Sequence, residues 1–165
     1  MSSDGMTYAP KGKPNPVVEA GEFPFAATNL DHGHIYGMCN GLTEAGANLK
    51  WVFDPDDAKV AAFRKSFPDV HVATSLDQIL DDPEIKLVSA AAIPNQRGPL
   101  GEQVMRVGKD YFTEKTPFTS LTQLESAQQT TAQTGQKYMV YYSERLHVEC
   151  AVFAGDLIND GVIGQ

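Results

Sequence analysis

Apolar runs and helical spacings alternate along this chain. Phe23 to Leu30 is a nearly continuous apolar run that breaks at Asp31-His32-Gly33-His34. A helix-like segment follows to about Ala45 and Gly46 ends it. Leu49 to Phe53 is a second apolar run, stopped by Asp54. Strand, tight turn, helix, strand and acid follow the order of a βαβ nucleotide-binding unit. In such a unit the helix N-terminus offers N–H groups and partial positive charge to a phosphate.

The same alternation continues. Pro55-Asp56-Asp57 starts a helix with acids in its first turn, and Val60, Phe63 and Phe67 fall on one face before Pro68. Val70 to Ala73 reads as a short strand. Ser75-x-x-Gln78 is a capping box for a helix over Leu76–Leu80. Ile85 to Ile93 is apolar almost throughout, as a strand covered on both faces requires. Leu100, Val104 and Val107 mark the next helical face, ended by Gly108. Asp110 to Thr113 predicts a fifth strand leading to Glu114-Lys115-Thr116-Pro117. Ser120-x-x-Gln123 caps a helix with Leu121, Leu124 and Ala127 on one side, and Gly135 ends it. Lys137 to Tyr142 predicts a sixth strand, and a last helix runs from about His147 to Asp160. Six strands separated by helices with short connections predict an α/β fold, a Rossmann-type doubly wound parallel sheet.

Composition narrows the functions. The 165 residues carry a net charge of −8, which disfavours nucleic acid and anionic membrane surfaces as partners. Two cysteines, Cys39 and Cys150, make no disulfide framework and read as small buried residues. No apolar run approaches the ~20 residues of a membrane span. Residues 1–22 are rich in Pro, Gly and small polar residues and lack the apolar core of a signal peptide, so a disordered or surface-draped arm and a cytoplasmic location are expected.

Open α/β sheets bind ligands beyond the carboxyl ends of their strands. This sequence places Asn29, Asp31, His32 and His34 there after the first strand, Asp54 after the second, Ile93, Asn95 and Arg97 after the fourth, Glu114 and Lys115 after the fifth, and Tyr142 to Arg145 after the sixth. The GxGxxG fingerprint is missing from the first turn. Asn29 adopts left-handed backbone more readily than most residues and can stand for the first glycine. A carboxylate at Asp31 is compatible with a pyrophosphate only if it points away. His32-x-His34 with Asp31 could contact zinc, but no further ligand cluster is evident in the sequence and no metal is expected.

Five segments carry a family resemblance: Gly108 to Pro117 (GKDYFTEKTP), the Ile93-Pro94-Asn95 turn, Asp54-Pro55-Asp56, Val140 to Arg145 (VYYSER), and Asp156 to Gly164 with its Ile163-Gly164 turn. Together, over about Phe23 to Gln165, the chain resembles the N-terminal NAD(P)-binding domain of the glucose–fructose oxidoreductase/inositol dehydrogenase (Gfo/Idh/MocA) superfamily. The resemblance implies an NAD(P)-dependent dehydrogenase acting on a sugar, polyol or related hydroxyl compound. It implies that Lys115 lies by the nicotinamide and substrate, that Glu114 holds the cofactor or positions Lys115, and that Ile93 and Asn95 line the cofactor. Tyr142 and Arg145 would face the substrate. Asn29, Asp31, His32 and His34 would form the phosphate loop, and Asp54, 25 residues after Asn29, the ribose acid. The acids Asp54, Asp56 and Asp57 favour NAD over NADP. The family's EKP proline is Thr116 here, with Pro117 one place later.

The resemblance also implies a second, α+β domain that is absent from this chain and would supply the acid–base histidine. The expected organisation is an arm over 1–22, the dinucleotide-binding domain over 23–146, and a linking helix over 147–165. Such a chain would bind cofactor without full catalysis, and the full-length protein would be a candidate homo-oligomer with a small-molecule substrate. The alternative is a non-enzymatic dinucleotide sensor or a partner subunit.

Overall fold

The computed structural model describes residues 15–143 and 149–162. Six parallel strands, β1 (Pro24–Thr28), β2 (Asn48–Phe53), β3 (His71–Val72), β4 (Leu87–Ala90), β5 (Asp110–Glu114) and β6 (Tyr138–Tyr141), form one sheet in the order β3-β2-β1-β4-β5-β6. Among the described residues the helices are α1 (His34–Glu44), α2 (Asp57–Ser66), α3 (Leu76–Asp81), α4 (Pro94–Arg106), α5 (Leu121–Thr134) and α6 (Glu149–Asn159). The chain divides into two compact units. One, Pro14–Tyr141, carries the sheet; α6 lies in the other.

Side chains alternate across each strand and so build two cores. Ala26, Val88, Ala90 and Tyr111 face Ile79 and Leu80 of α3 and Leu100, Val104 and Met105 of α4. Phe25, Ala27, Val52 and Ala91 face Ile35 and Cys39 of α1 and Val60 and Phe63 of α2. Strand order reverses between β1 and β4, which leaves a crevice at their carboxyl ends.

Both predicted serine caps form. Ser75 Oγ and Ser120 Oγ accept the N–H groups of Gln78 and Gln123 at 3.2 Å. The glutamines answer one residue earlier than the motif requires, on the N–H groups of Thr74 and Thr119. Gly135 ends α5 in the left-handed conformation at φ +74°.

Several expectations need correction. Val107 caps α4 and is 47% exposed, and the buried face of that helix continues through Met105 instead. Leu121 opens α5 and is 76% exposed. Phe67 lies just past the end of α2 but still packs against Phe63 and Tyr36. Of the two cysteines only Cys39 is buried; Cys150 is exposed. In the described part of the arm, the Val17 N–H donates to Ala45 O at 2.8 Å, so this segment drapes over the end of α1. Among the described residues, no helix is long and apolar enough to cross a membrane.

Candidate active site

Strand register assembles the site. Phe53, Thr28, Ala90, Thr113 and Val140 lie in one row across five strands. One residue further on, the row reads Asp54, Asn29, Ala91, Glu114 and Tyr141, with the Ala91 N–H donating to Asn29 O at 3.1 Å. The middle of this row is alanine, flanked by Ala90 and Ala92, all fully buried. With no large side chain over β4, the turn after β1 meets the end of β5 across it.

Asn29 is left-handed, with φ +50°, so the first turn has the backbone that the missing glycine would supply. Gly33 is the N-cap of α1 and provides no side-chain cap, and the first turn of α1 contains no acid. The Asp31 carboxylate binds Lys59 Nζ of α2 at 2.5 Å. The hydrogen bond to Asp31 holds the Lys59 ammonium above its ordinary pKa. Lys59 had no place in the sequence reading. Its signal was its position in the first turn of a helix that follows the acid of the second strand.

Asp54 is 4% exposed. Its Oδ2 accepts the Leu30 N–H at 2.7 Å and its Oδ1 the Asp56 N–H at 2.9 Å. The acid thus fastens the turn after β1 to the end of β2. The cap of α2 is Asp56, whose Oδ1 accepts the Ala58 N–H at 2.9 Å.

Glu114 is 1% exposed and ends β5. Its Oε1 accepts the Lys115 N–H at 2.7 Å, and its Oε2 lies 2.5 Å from His34 Nδ1 and 3.6 Å from His32 Nδ1. The two imidazoles meet edge to face at 4.5 Å. Tyr141, the next in the row, stands edge-on to His34 at 5.8 Å. A buried carboxylate is costly unless it is paired and hydrogen-bonded, and both oxygens are engaged.

The opposite wall comes from β4–α4 and β5–α5. Ile93 is the N-cap of α4, with its side chain 45% exposed; Asn95 is in the first turn. Asn95 O accepts Gln123 Nε2 at 2.9 Å. Arg97, 4% exposed, donates from Nε to Ala92 O at 2.6 Å and from Nη1 to Thr116 O at 3.0 Å. The Lys115–Thr116 peptide is cis, and the Lys115 side chain is exposed at this edge. Tyr142 is 52% exposed and belongs to the second unit. Arg145 and His147 lie outside the described residues. Burial pushes the Cys39 thiol up to about 12, so it stays neutral and is no nucleophile.

An open parallel sheet in this strand order, with polar groups gathered at its switch point, defines the dinucleotide-binding class of α/β domains. Residues 32–142 match the model of the Gfo/Idh/MocA family, described as an oxidoreductase family with an NAD-binding Rossmann fold. The chain belongs to that family. Comparison with curated proteins finds no match. A solved structure of a proposed oxidoreductase from Erwinia carotovora atroseptica is similar at 44% identity and a TM-score of 0.80, over 84% of this chain and 42% of that one. Two more distant structures share the fold. One is GenD2 from gentamicin A biosynthesis, in complex with NAD (20% identity, TM-score 0.72, 93% and 42% coverage). The other is myo-inositol 2-dehydrogenase from Lactobacillus plantarum (14% identity, TM-score 0.72, 87% and 42% coverage). The chain thus spans about two fifths of the length of the solved relatives it matches.

Proposed function

We propose that this chain is the dinucleotide-binding part of a dehydrogenase that moves hydride between NAD and a carbinol carbon of a sugar, polyol or related compound. The observation that carries the reading is the treatment of Asp31. Its carboxylate, the one group in the first turn that would repel a pyrophosphate, is neutralised by Lys59. What remains at the turn is left-handed Asn29, two histidines, and a helix start without acids. That combination suits an anion.

In this reading Asn29, His32 and His34 border the pyrophosphate, and Asp31 serves by being held aside. Asp54, which the family resemblance assigns to the ribose, sets the loop's position through the Leu30 and Asp56 N–H groups. Ile93 and Asn95 line the cofactor from the α4 side. Glu114 holds His34 and the Lys115 N–H, and Lys115 brings a compact positive charge to the oxygen that gains charge during hydride transfer. The family resemblance assigns Tyr142 and Arg145 to the substrate. The acids at Asp54, Asp56 and Asp57 leave a 2′-phosphate unwelcome, which favours NAD over NADP.

Calorimetric titration with NADH and NADPH tests the reading. Saturable binding of NADH, tighter than that of NADPH, is expected. If neither nucleotide binds at millimolar concentration, the reading fails.

A further inference from the structure

We infer that His32, His34 and Glu114 form a binding site for a divalent transition-metal ion of the zinc class, with one coordination position left for an exchangeable oxygen ligand. Each residue offers one ligand atom, and the three atoms lie within 4.8 Å of one another. Two imidazoles and one carboxylate are a donor set that zinc and its first-row neighbours take. The sequence conceals it, because the neighbouring acid Asp31 is bound to Lys59 and the carboxylate comes from 80 residues away.

The hydrogen bonds narrow what the cluster needs. The His34 backbone N–H donates to His32 Nδ1 at 3.2 Å, and an ion bound at that nitrogen takes the place of this bond. The same nitrogen faces Glu114 Oε2 at 3.6 Å. His34 Nδ1 closes the third side, 2.5 Å from the same oxygen. Ligand atoms around a tetrahedral zinc, with bonds of about 2.0–2.2 Å, stand roughly 3.3–3.5 Å apart. The His34–Glu114 pair must then open by roughly 1 Å, while the His32–Glu114 pair is already near that spacing.

The surroundings suit such a site. The Lys115 N–H on Oε1 orients the carboxylate and leaves Oε2 for the ion. The Glu114 side chain is 2% exposed, whereas those of His32 and His34 are 51% and 35% exposed. The ion would have a buried anchor and an open side towards solvent. Three protein ligands with an open position define a site that exchanges its fourth ligand. The site shares His32 and His34 with the proposed pyrophosphate turn, so its test uses the metal without nucleotide and its failure is distinguishable from a failure to bind NADH.

The test uses Zn²⁺ and Co²⁺ alone, without nucleotide. Calorimetry of the chain with ZnCl₂ should show one saturable equivalent, and CoCl₂ should give the visible absorption of a low-symmetry four- or five-coordinate ion. His32→Ala removes a half-exposed ligand and should weaken Zn²⁺ binding by more than about tenfold; Glu114→Gln should do the same. His71→Ala, at an exposed histidine outside the cluster, should leave it unchanged. The absence of saturable Zn²⁺ binding to the unaltered chain would overturn the inference, whatever the variants do. So would binding that survives His32→Ala intact.

Discussion

Asp54 Oδ2 accepts the Leu30 N–H at 2.7 Å, and so the acid that ends β2 holds the turn that follows β1. The bond spans 24 residues and is nearly sealed from water, since the Asp54 side chain is 2% exposed. Removing this carboxylate strands two backbone N–H groups. Asp54→Ala is expected to lower urea-unfolding stability by about 1–3 kcal/mol in the absence of any nucleotide. An unchanged midpoint would show that the loop is held by something else.

Lys59 and Asp31 give a second expectation, this time for binding. The pair is partly exposed, so breaking it should cost the fold no more than about 1 kcal/mol. Lys59→Met would nevertheless free a negative charge beside the phosphate turn. NADH affinity should fall roughly tenfold at low salt, and less at high salt. Adding Asp31→Asn in the same chain should restore most of the loss. Failure of the second change to rescue the first would argue against a charge effect.

Gly101 lies where α4 crosses β5. A β-carbon there would meet Tyr138 Cε2, and Tyr111 Cδ1 at 2.6 Å, both on rings that pack edge to face at 5.1 Å. Tyr111 is fully buried and has nowhere to retreat. Gly101→Ala should therefore destabilise by about 1–3 kcal/mol through overpacking. Stability equal to the parent chain in chemical denaturation would contradict the close approach.

The single tryptophan reports on an acid-sensitive cluster. Trp51 Nε1 donates to Asp82 Oδ2 at 2.7 Å, and Lys50 Nζ lies 2.6 Å from the same oxygen. Burial raises the Asp82 carboxyl, but Lys50, Trp51 and the Glu84 N–H outweigh it and hold the group at about 2. A carboxyl depressed on folding stabilises the fold above its unfolded value, about 3.9, and that contribution fades as pH falls towards 2. Trp51 emission should change across this window in the parent chain. Asp82→Asn should lose on the order of 2 kcal/mol at neutral pH, and the deficit should shrink on acidification. Emission that is flat between pH 4 and 2 would remove Asp82 from the account.

Much of the fold was legible in the order of apolar runs. Each strand of the sheet matches a run or short segment read from the sequence, with β2 starting one residue earlier at Asn48 and β5 ending one later at Glu114, because a parallel sheet covered on both faces favours continuous apolar residues. Ser75, Ser120 and Gly135 marked helix ends through local chemistry, and Asn29 revealed its left-handed turn in the same way. Val107 and Leu121 misled because helical period alone does not say where a helix stops. The site was legible as a list of residues, but their pairings were not. Whether Asp31 turns towards a phosphate or towards Lys59 depends on α2. The meeting of His34 with Glu114 depends on small residues at Ala90, Ala91 and Ala92 on the strand between them. Such long-range partners leave no spacing signal in the chain.

The fastening of these loops divides the crevice into two jaws. One is the turn after β1, clamped from behind by Asp54 and Lys59. The other is the pair of loops after β4 and β5, which Arg97 and Gln123 lock into a single block carrying Asn95 and Lys115. The Glu114 carboxylate, reaching over alanine to His34, is the latch between them. Each jaw has its own anchorage, and the His34–Glu114 contact is the side-chain bond that joins them.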